Sequence, residues 1–211
     1  GFTADQVHVV SNGLDVKASK AAQISRQEAR SRLGLPPEEF IIGTIGRLSD
    51  SKNQDGLIEA YARIVAKLPP SRLVIIGEGR RRKVLASLVA RHGLRDRVLL
   101  MGFVPNAQRH LKGFDLFVFP SRSEAFGLAL LEAMIARVPA IVSNVGGIRE
   151  LVGDYPFMVR PDDIPTLALQ MSTMATKSTR EQDQIAGRLH DRAVSAFNIA
   201  KLEEAYLKLI A

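Results

Sequence analysis

Five short apolar runs recur along this chain without alternating with polar residues: 40–45 (FIIGTI), 73–76 (LVII), 98–101 (VLLM), 116–119 (LFVF) and 140–142 (AIV). A strand with one wet face alternates, whereas a strand buried on both faces is apolar throughout, so these runs read as strands of a parallel sheet covered on both sides. The intervening stretches carry apolar residues at helical spacing: Leu57, Ala60, Tyr61, Ile64 and Val65; Val84, Leu85, Leu88 and Val89; Leu128, Leu131, Met134 and Ile135. Strand and helix in alternation over more than a hundred residues predict an α/β domain, a doubly wound parallel sheet with right-handed crossovers.

Glycine and proline stand where each strand should end. Gly46 follows the first run, Gly77 and Gly79 the second, Gly102 the third, Pro120 the fourth, and Gly146 with Gly147 the fifth. These positions mark the carboxyl ends of the strands, where open α/β sheets bind ligands. The tail from Ile164 reads as helices, closing in an amphipathic stretch with Leu202, Tyr206 and Leu209. No composition shift divides the 211 residues, so the chain reads as one domain. It opens abruptly on an extended segment at 7–10, as an excised piece of a longer protein would.

Composition narrows the chemistry. With no cysteine, disulfides, zinc–thiolate sites and a cysteine nucleophile are excluded, and a reducing compartment such as the cytoplasm fits. The most apolar long stretch, 126–142, is broken by Glu132, Arg137 and Pro139 and falls short of the ~20 residues of a spanning helix. A formal charge of +7 suggests anionic partners, but 6% aromatics without basic–aromatic interleaving argues against nucleic acid. No Gly-Lys-Ser/Thr is present, which excludes a P-loop. Arg82 stands where a dinucleotide fingerprint beginning Gly77-Glu78-Gly79 would need its third glycine.

The strand ends carry the candidate site. Arg47 and Lys52 flank one strand-to-helix loop after Gly46, where a diphosphate would need fixed charge and helix N–H groups; two solvated cations are the plainer reading. After the fourth strand comes Pro-Ser-Arg-Ser-Glu-Ala-Phe-Gly-Leu at 120–128, with Glu124 in the loop and Glu132 about two turns down an apolar helix. A carboxylate there needs a partner, either sugar hydroxyls or a local arginine such as Arg137. Glu150, past the glycine pair, has the dipole of its helix as a sufficient explanation. Arg80, Arg81, Arg82 and Lys83 form a cationic run that reads as a solvated face, or as a contact with an acidic membrane surface.

Taken together, these residues resemble the nucleotide-sugar-binding half of a retaining family 4 glycosyltransferase, the group 1 transferases of GT-B architecture. The resemblance spans roughly residues 7–210 in six ordered stretches, including Ser11 to Asp15, Gly46-Arg47-Leu48 with Lys52-Asn53, Glu124 and Glu132 around Phe126-Gly127-Leu128, and the Gly146-Gly147 pair. It implies a Rossmann-like C-terminal donor domain over 1–211, with the N-terminal acceptor domain absent and the isolated chain inactive. It assigns Arg47 and Lys52 to the donor diphosphate, Glu124 to hydroxyls of the transferred sugar, and Glu132 to the ribose. Backbone at Gly46 and from Ala125 through Phe126 and Gly127 to Leu128 would line the donor, and Phe103 and Val104 would meet the base. It implies no metal: the sequence has no Asp-x-Asp, and His8, His92, His110 and His190 lack ligand spacing. The implied partners are an NDP-sugar donor and a glycan or lipid-linked acceptor in bacterial cell-envelope synthesis, at the cytoplasmic membrane's inner face. A sugar-nucleotide epimerase of the same architecture and a non-catalytic nucleotide-binding module remain as alternatives.

Overall fold

The computed structural model describes residues 10–210 together with Thr3 and His8. Of the extended segment expected at 7–10, residues 7 and 9 lie outside the described residues. Among the described residues, six parallel strands form one sheet: β1 Phe40–Ile45, β2 Ser71–Ile76, β3 Val98–Gly102, β4 Leu116–Phe119, β5 Ala140–Ser143 and β6 Met158–Val159. Their order is β3-β2-β1-β4-β5-β6. The helices are α1 Val16–Ala22, α2 Arg26–Arg32, α3 Gln54–Ile64, α4 Arg82–Arg91, α5 Leu128–Ile135, α6 Gly146–Val152, α7 Ile164–Thr176, α8 Thr179–Ala196 and α9 Ile199–Ile210.

The sheet is covered on both faces, which is why its strands do not alternate. Neighbouring residues of a strand point to opposite sides. Ile42, Leu73, Ile75, Val118 and Ile141 pack beneath Leu57, Tyr61, Leu85 and Met171 of α3, α4 and α7. Ile41, Val74, Phe117 and Val142 pack beneath Leu131, Met134, Ile148 and Leu189 of α5, α6 and α8. His190 of α8 is buried, and its Nδ1 lies 3.2 and 3.0 Å from the Met134 and Ile135 carbonyls at the end of α5. Two carbonyls require a donor, so that nitrogen carries the proton.

Strands β1 to β3 run outward to one side; the chain then returns to lay β4 on the other side of β1. This reversal opens a crevice between the carboxyl ends of β1 and β4. The pairing between them is brief, Ile42 with Leu116 and Gly43 with Phe117, so both strands continue past it unpaired with each other.

Three elements carry too little apolar pattern to be read in advance: α1, α2 and the two-residue β6. Caps set the first two, with Asp15 accepting from the Ala18 N–H at 2.8 Å and Ser25 from the Glu28 N–H at 3.2 Å. The inward residue of α2 is Arg30, only 2% exposed. Its guanidinium pairs with Asp115 at 2.5 Å and donates to the carbonyls of Gly113, Pro36, Pro37 and Glu39 at 2.6–3.1 Å. Asp115 in turn accepts from the Ile41 N–H at 2.6 Å, so the cluster ties α2 to the starts of β1 and β4. Burial lowers the Arg30 pKa while Asp115 opposes it. Arg30→Ala should leave Asp115 and four carbonyls without this donor, at about 3–5 kcal/mol. With 1 kcal/mol worth ~2–4 °C in a chain this size, Tm should drop by roughly 6–20 °C. Thermal circular dichroism checks this, and a fall below about 2 °C would contradict it.

Candidate functional site

The crevice between β1 and β4 holds Lys52 and Glu124 in direct contact. After β1, the chain makes a 3-10 turn over Asp50–Lys52, and Asn53 then caps α3 from a left-handed conformation, accepting from the Gly56 N–H at 3.2 Å. That turn aims Lys52 across the crevice, where its ammonium forms an ion pair with the Glu124 carboxylate. Both side chains are mostly covered, at 25% and 15% exposure, and the ammonium also stands 5.1 Å from the Phe119 ring centroid.

Arg47 is exposed and its guanidinium has no ion-pair partner among the described residues. With Lys52 and Arg80 it lines a hollow of about 540 Å³, together with Leu48, Ser49, Ser51 and Gly79 and no acidic residue. A hollow of similar size, lined by Arg26, Arg30 and Glu38, lies at the amino ends of the strands, away from these groups.

Backbone conformation fixes the Glu124 loop. Gly127, at φ +99°, ends it and caps α5 without a side-chain bond, leaving the first-turn N–H groups of Leu128 and Ala129 facing outward from the helix start. Gly127 itself is buried against Ile148. At Gly147, a Cβ would come within 2.0 Å of the Ala125 carbonyl oxygen, and the Gly147 N–H donates to the Glu124 carbonyl at 3.3 Å. The glycine pair therefore permits loop to approach loop rather than backbone to approach a ligand. The Gly46 N–H is likewise committed, donating to the Ile76 carbonyl at 2.9 Å. Ala125 and Leu128 are exposed, Phe126 is buried in the core, Phe103 is 75% exposed, and Val104 is half-buried against the core.

Glu132 is the fifth residue of α5, just over one turn in rather than the two turns expected, since the helix starts at Leu128. It is half-buried and has no ion-pair or hydrogen-bond partner among the described residues; the expected alternative, Arg137, is not bonded to it. Arg137 instead sits at φ +59° beside α8, near Asp183 and Gln184. Burial pushes the Glu132 carboxyl pKa up, with nothing to offset it. Glu150 accepts from the Ser11 hydroxyl.

A family model for glycosyl transferases group 1 matches residues 25–187. The chain belongs to the group 1 glycosyl transferases. It is 34% identical over 172 residues to an uncharacterized glycosyltransferase of Methanocaldococcus jannaschii, covering 76% of this chain and 43% of that protein. It is 32% identical over 149 residues to the lipopolysaccharide core biosynthesis mannosyltransferase LpsB of Rhizobium meliloti, covering 68% and 42%. The crystal structure of Anabaena HepE in complex with UDP matches with a TM-score of 0.86 at 26% identity, over 99% of this chain and 58% of that one. The chain thus spans less than half the length of these two curated relatives.

In this group 1 transferase chain, Lys52 and Glu124 meet across the crevice and Arg47 lines the hollow beside Lys52; Glu132 lies on α5 with no hydrogen bond or ion pair to them among the described residues, and Phe103 and Val104 stand past the end of β3. Sequence reading missed Arg122, which binds Asp55 and Asp162, and it named Arg81 only as one of the cationic run, without its bonds to Asp50 at 2.5 Å and Asp55 at 3.2 Å. Part of the cationic run is therefore paired rather than merely solvated: Arg82 also donates to the Leu100 carbonyl at 3.1 Å. Among the described residues no helix is long and apolar enough to cross a membrane.

A carboxyl whose folded pKa is raised contributes stability below its unfolded pKa and loses it as pH rises through the folded value. At pH 7, above the ordinary carboxyl range, Glu132 therefore contributes less to stability than it does in acid. Glu132→Gln should raise Tm at pH 7, by ~2–4 °C per kcal/mol recovered, and the gain should vanish near pH 4. Paired thermal melts at the two pH values check this; equal shifts at both would contradict it.

Proposed function

We propose that this chain is the C-terminal donor-binding half of a retaining family 4 transferase of GT-B architecture. The intact enzyme would move a sugar from an NDP-sugar to a glycan or lipid-linked acceptor of the bacterial cell envelope, working at the inner face of the cytoplasmic membrane. The observation that carries this reading is the meeting of a cation and a carboxylate, Lys52 and Glu124, at the sheet's reversal point, beside the free cation Arg47. The UDP in the HepE complex and the mannosyltransferase activity in the name of LpsB support it.

In this reading the donor diphosphate takes Arg47 and Lys52, the fork from one side and the point charge from the other. Glu124, released by Lys52, accepts from hydroxyls of the transferred sugar. Glu132 accepts from the ribose, which supplies the partner its buried carboxylate lacks. The exposed face of Phe103 offers a surface to the base. Bond cleavage places charge on the departing diphosphate, and the fixed cations stabilise it where it develops. The acceptor attacks the same face of the sugar that the diphosphate leaves, so anomeric configuration is retained. An N-terminal half would bring the acceptor and close the crevice; the apolar side of α9, with Tyr206 55% and Leu207 62% exposed, suits packing against it. The chemistry is assigned to side chains alone, with no metal.

The test is a thermal-shift panel with uridine, guanosine and adenosine diphosphates. At a hundred times its dissociation constant, a ligand adds about 2.7 kcal/mol, or roughly 5–11 °C. Arg47→Ala and Glu132→Ala should each weaken calorimetric affinity at least about tenfold, the loss of one charged hydrogen-bond partner. Chelation with EDTA should leave affinity unchanged, and the chain alone should transfer no sugar. Absence of any shift across the panel, or unchanged affinity in both variants, would sink the assignment. Isomerised donor after incubation with the intact protein would identify an epimerase instead.

A further inference from the structure

Arg122 stands two residues before Glu124, yet its guanidinium points away from the donor crevice. It forms a wall of a separate cleft of about 320 Å³ between α3, α4 and α7, with Asp55, Arg81 and Asp162. Four of its contacts use the guanidinium: Nε donates to Asp162 at 2.8 Å, Nη1 to the Asp50 carbonyl at 2.7 Å and to Asp55 at 3.3 Å, and Nη2 to Asp55 at 3.2 Å. A fifth is main-chain, from the Arg122 N–H to the Ser51 carbonyl at 2.8 Å. Asp50 and Ser51 belong to the 3-10 turn that ends in Lys52, and Asp55 to the first turn of the helix that follows.

The same arginine thus bonds, on both sides of Lys52, the segment that delivers Lys52, while its own backbone leads directly to Glu124. Burial would raise the Asp55 carboxyl pKa, but Arg122, with a backbone hydrogen bond and Arg81, outweighs it and the pKa is lowered. Arg81 repeats the tie from the start of α4, and Asp162 extends it to the loop before α7. A lysine could not replace this geometry, because one ammonium cannot span two carboxylates and a carbonyl in a plane.

We propose that Arg122 is a positioning residue: its clamp on the loop after β1 sets the spacing of Lys52 and Glu124, and with it the recognition of a ligand that spans both. The proposal rests on the donor-site reading above. A ligand touching both groups should feel a loss of spacing, whereas one touching only Lys52 should feel it little. That contrast separates positioning from plain stabilisation, which would change Tm alone.

The experiment is calorimetry on the chain well below its Tm. It uses the nucleoside diphosphate that binds best in the panel and the matching nucleotide sugar, UDP with UDP-glucose or GDP with GDP-mannose. Arg122→Gln should weaken the nucleotide sugar by about tenfold or more, as small misplacements in a polar site do, and the diphosphate less than about threefold. Arg122→Lys should not restore the loss. Arg72→Gln, which breaks a comparable ion pair with Glu39 at the amino end of the sheet, should lower Tm and leave both affinities alone. In a Lys52→Ala background the Arg122→Gln change should add less than about twofold, since residues acting through one another do not add. Should Arg122→Gln fail to fold, Asp162→Asn removes one anchor and should act in the same direction. Equal losses for both ligands, unchanged affinities, or full additivity with Lys52→Ala would overturn the proposal. If the unaltered chain binds neither ligand, the donor-site reading itself falls.

Discussion

The pairing of β1 with β4 is the constraint on which the site depends. Two whole strand–helix units separate these strands in sequence, and only the return of the chain across β1 makes them neighbours. The pairing is also brief, two residues on each strand, so the strands diverge at their carboxyl ends and leave room between their loops. Lys52 and Glu124 are 72 residues apart in the chain, and they meet because of that one register. The surrounding loops are then fixed by main-chain bonds, Leu48 to Glu78 at 2.9 Å and Arg122 to Ser51 at 2.8 Å, so the crevice is built on rigid edges.

Two charged side chains in this domain show opposite solutions to burial. Arg30 is almost wholly enclosed but has an aspartate and four carbonyls around its guanidinium, and it ties three elements together. Glu132 is half-covered and has no such shell among the described residues. The first arrangement is structural and complete. The second is unpaired among the described residues, which is what the donor role proposed for Glu132 would require. Distinguishing them took the bonding around each group, because burial alone would have placed both in the same class.

Much of the fold was legible in the sequence because its physics is local. The runs at 40–45 and 116–119 coincide with β1 and β4 residue for residue, and the others differ from their strands by one or two positions. What escaped was set by longer-range partners. Helix α2 is polar on most sides and turns an arginine inward, a choice that makes sense only with Asp115 in place. Strand β6 has two residues and takes its form from β5. At the site, Arg47, Lys52, Glu124 and Glu132 were legible as charged residues at strand ends or on an apolar helix. Arg122 was not, since a surface arginine in a loop carries no signal until Asp55 and Asp162 are seen on either side of it. The roles of the glycines also changed: Gly127 supplies the positive φ that starts α5, and Gly147 frees one loop to rest against another.

On the donor-site reading proposed above, the ion pair between Lys52 and Glu124 would bear on selectivity among the many phosphorylated molecules of a cell. Each charge already satisfies the other, so the crevice presents less bare charge than its residues suggest. A phosphate bound there would have to draw Lys52 away, leaving a mostly covered carboxylate without its counter-ion unless the same molecule brought hydroxyls to replace it. In that reading free phosphate would bring none, whereas a sugar attached to the diphosphate would. The contact would then act as a threshold that abundant anions meet at a disadvantage.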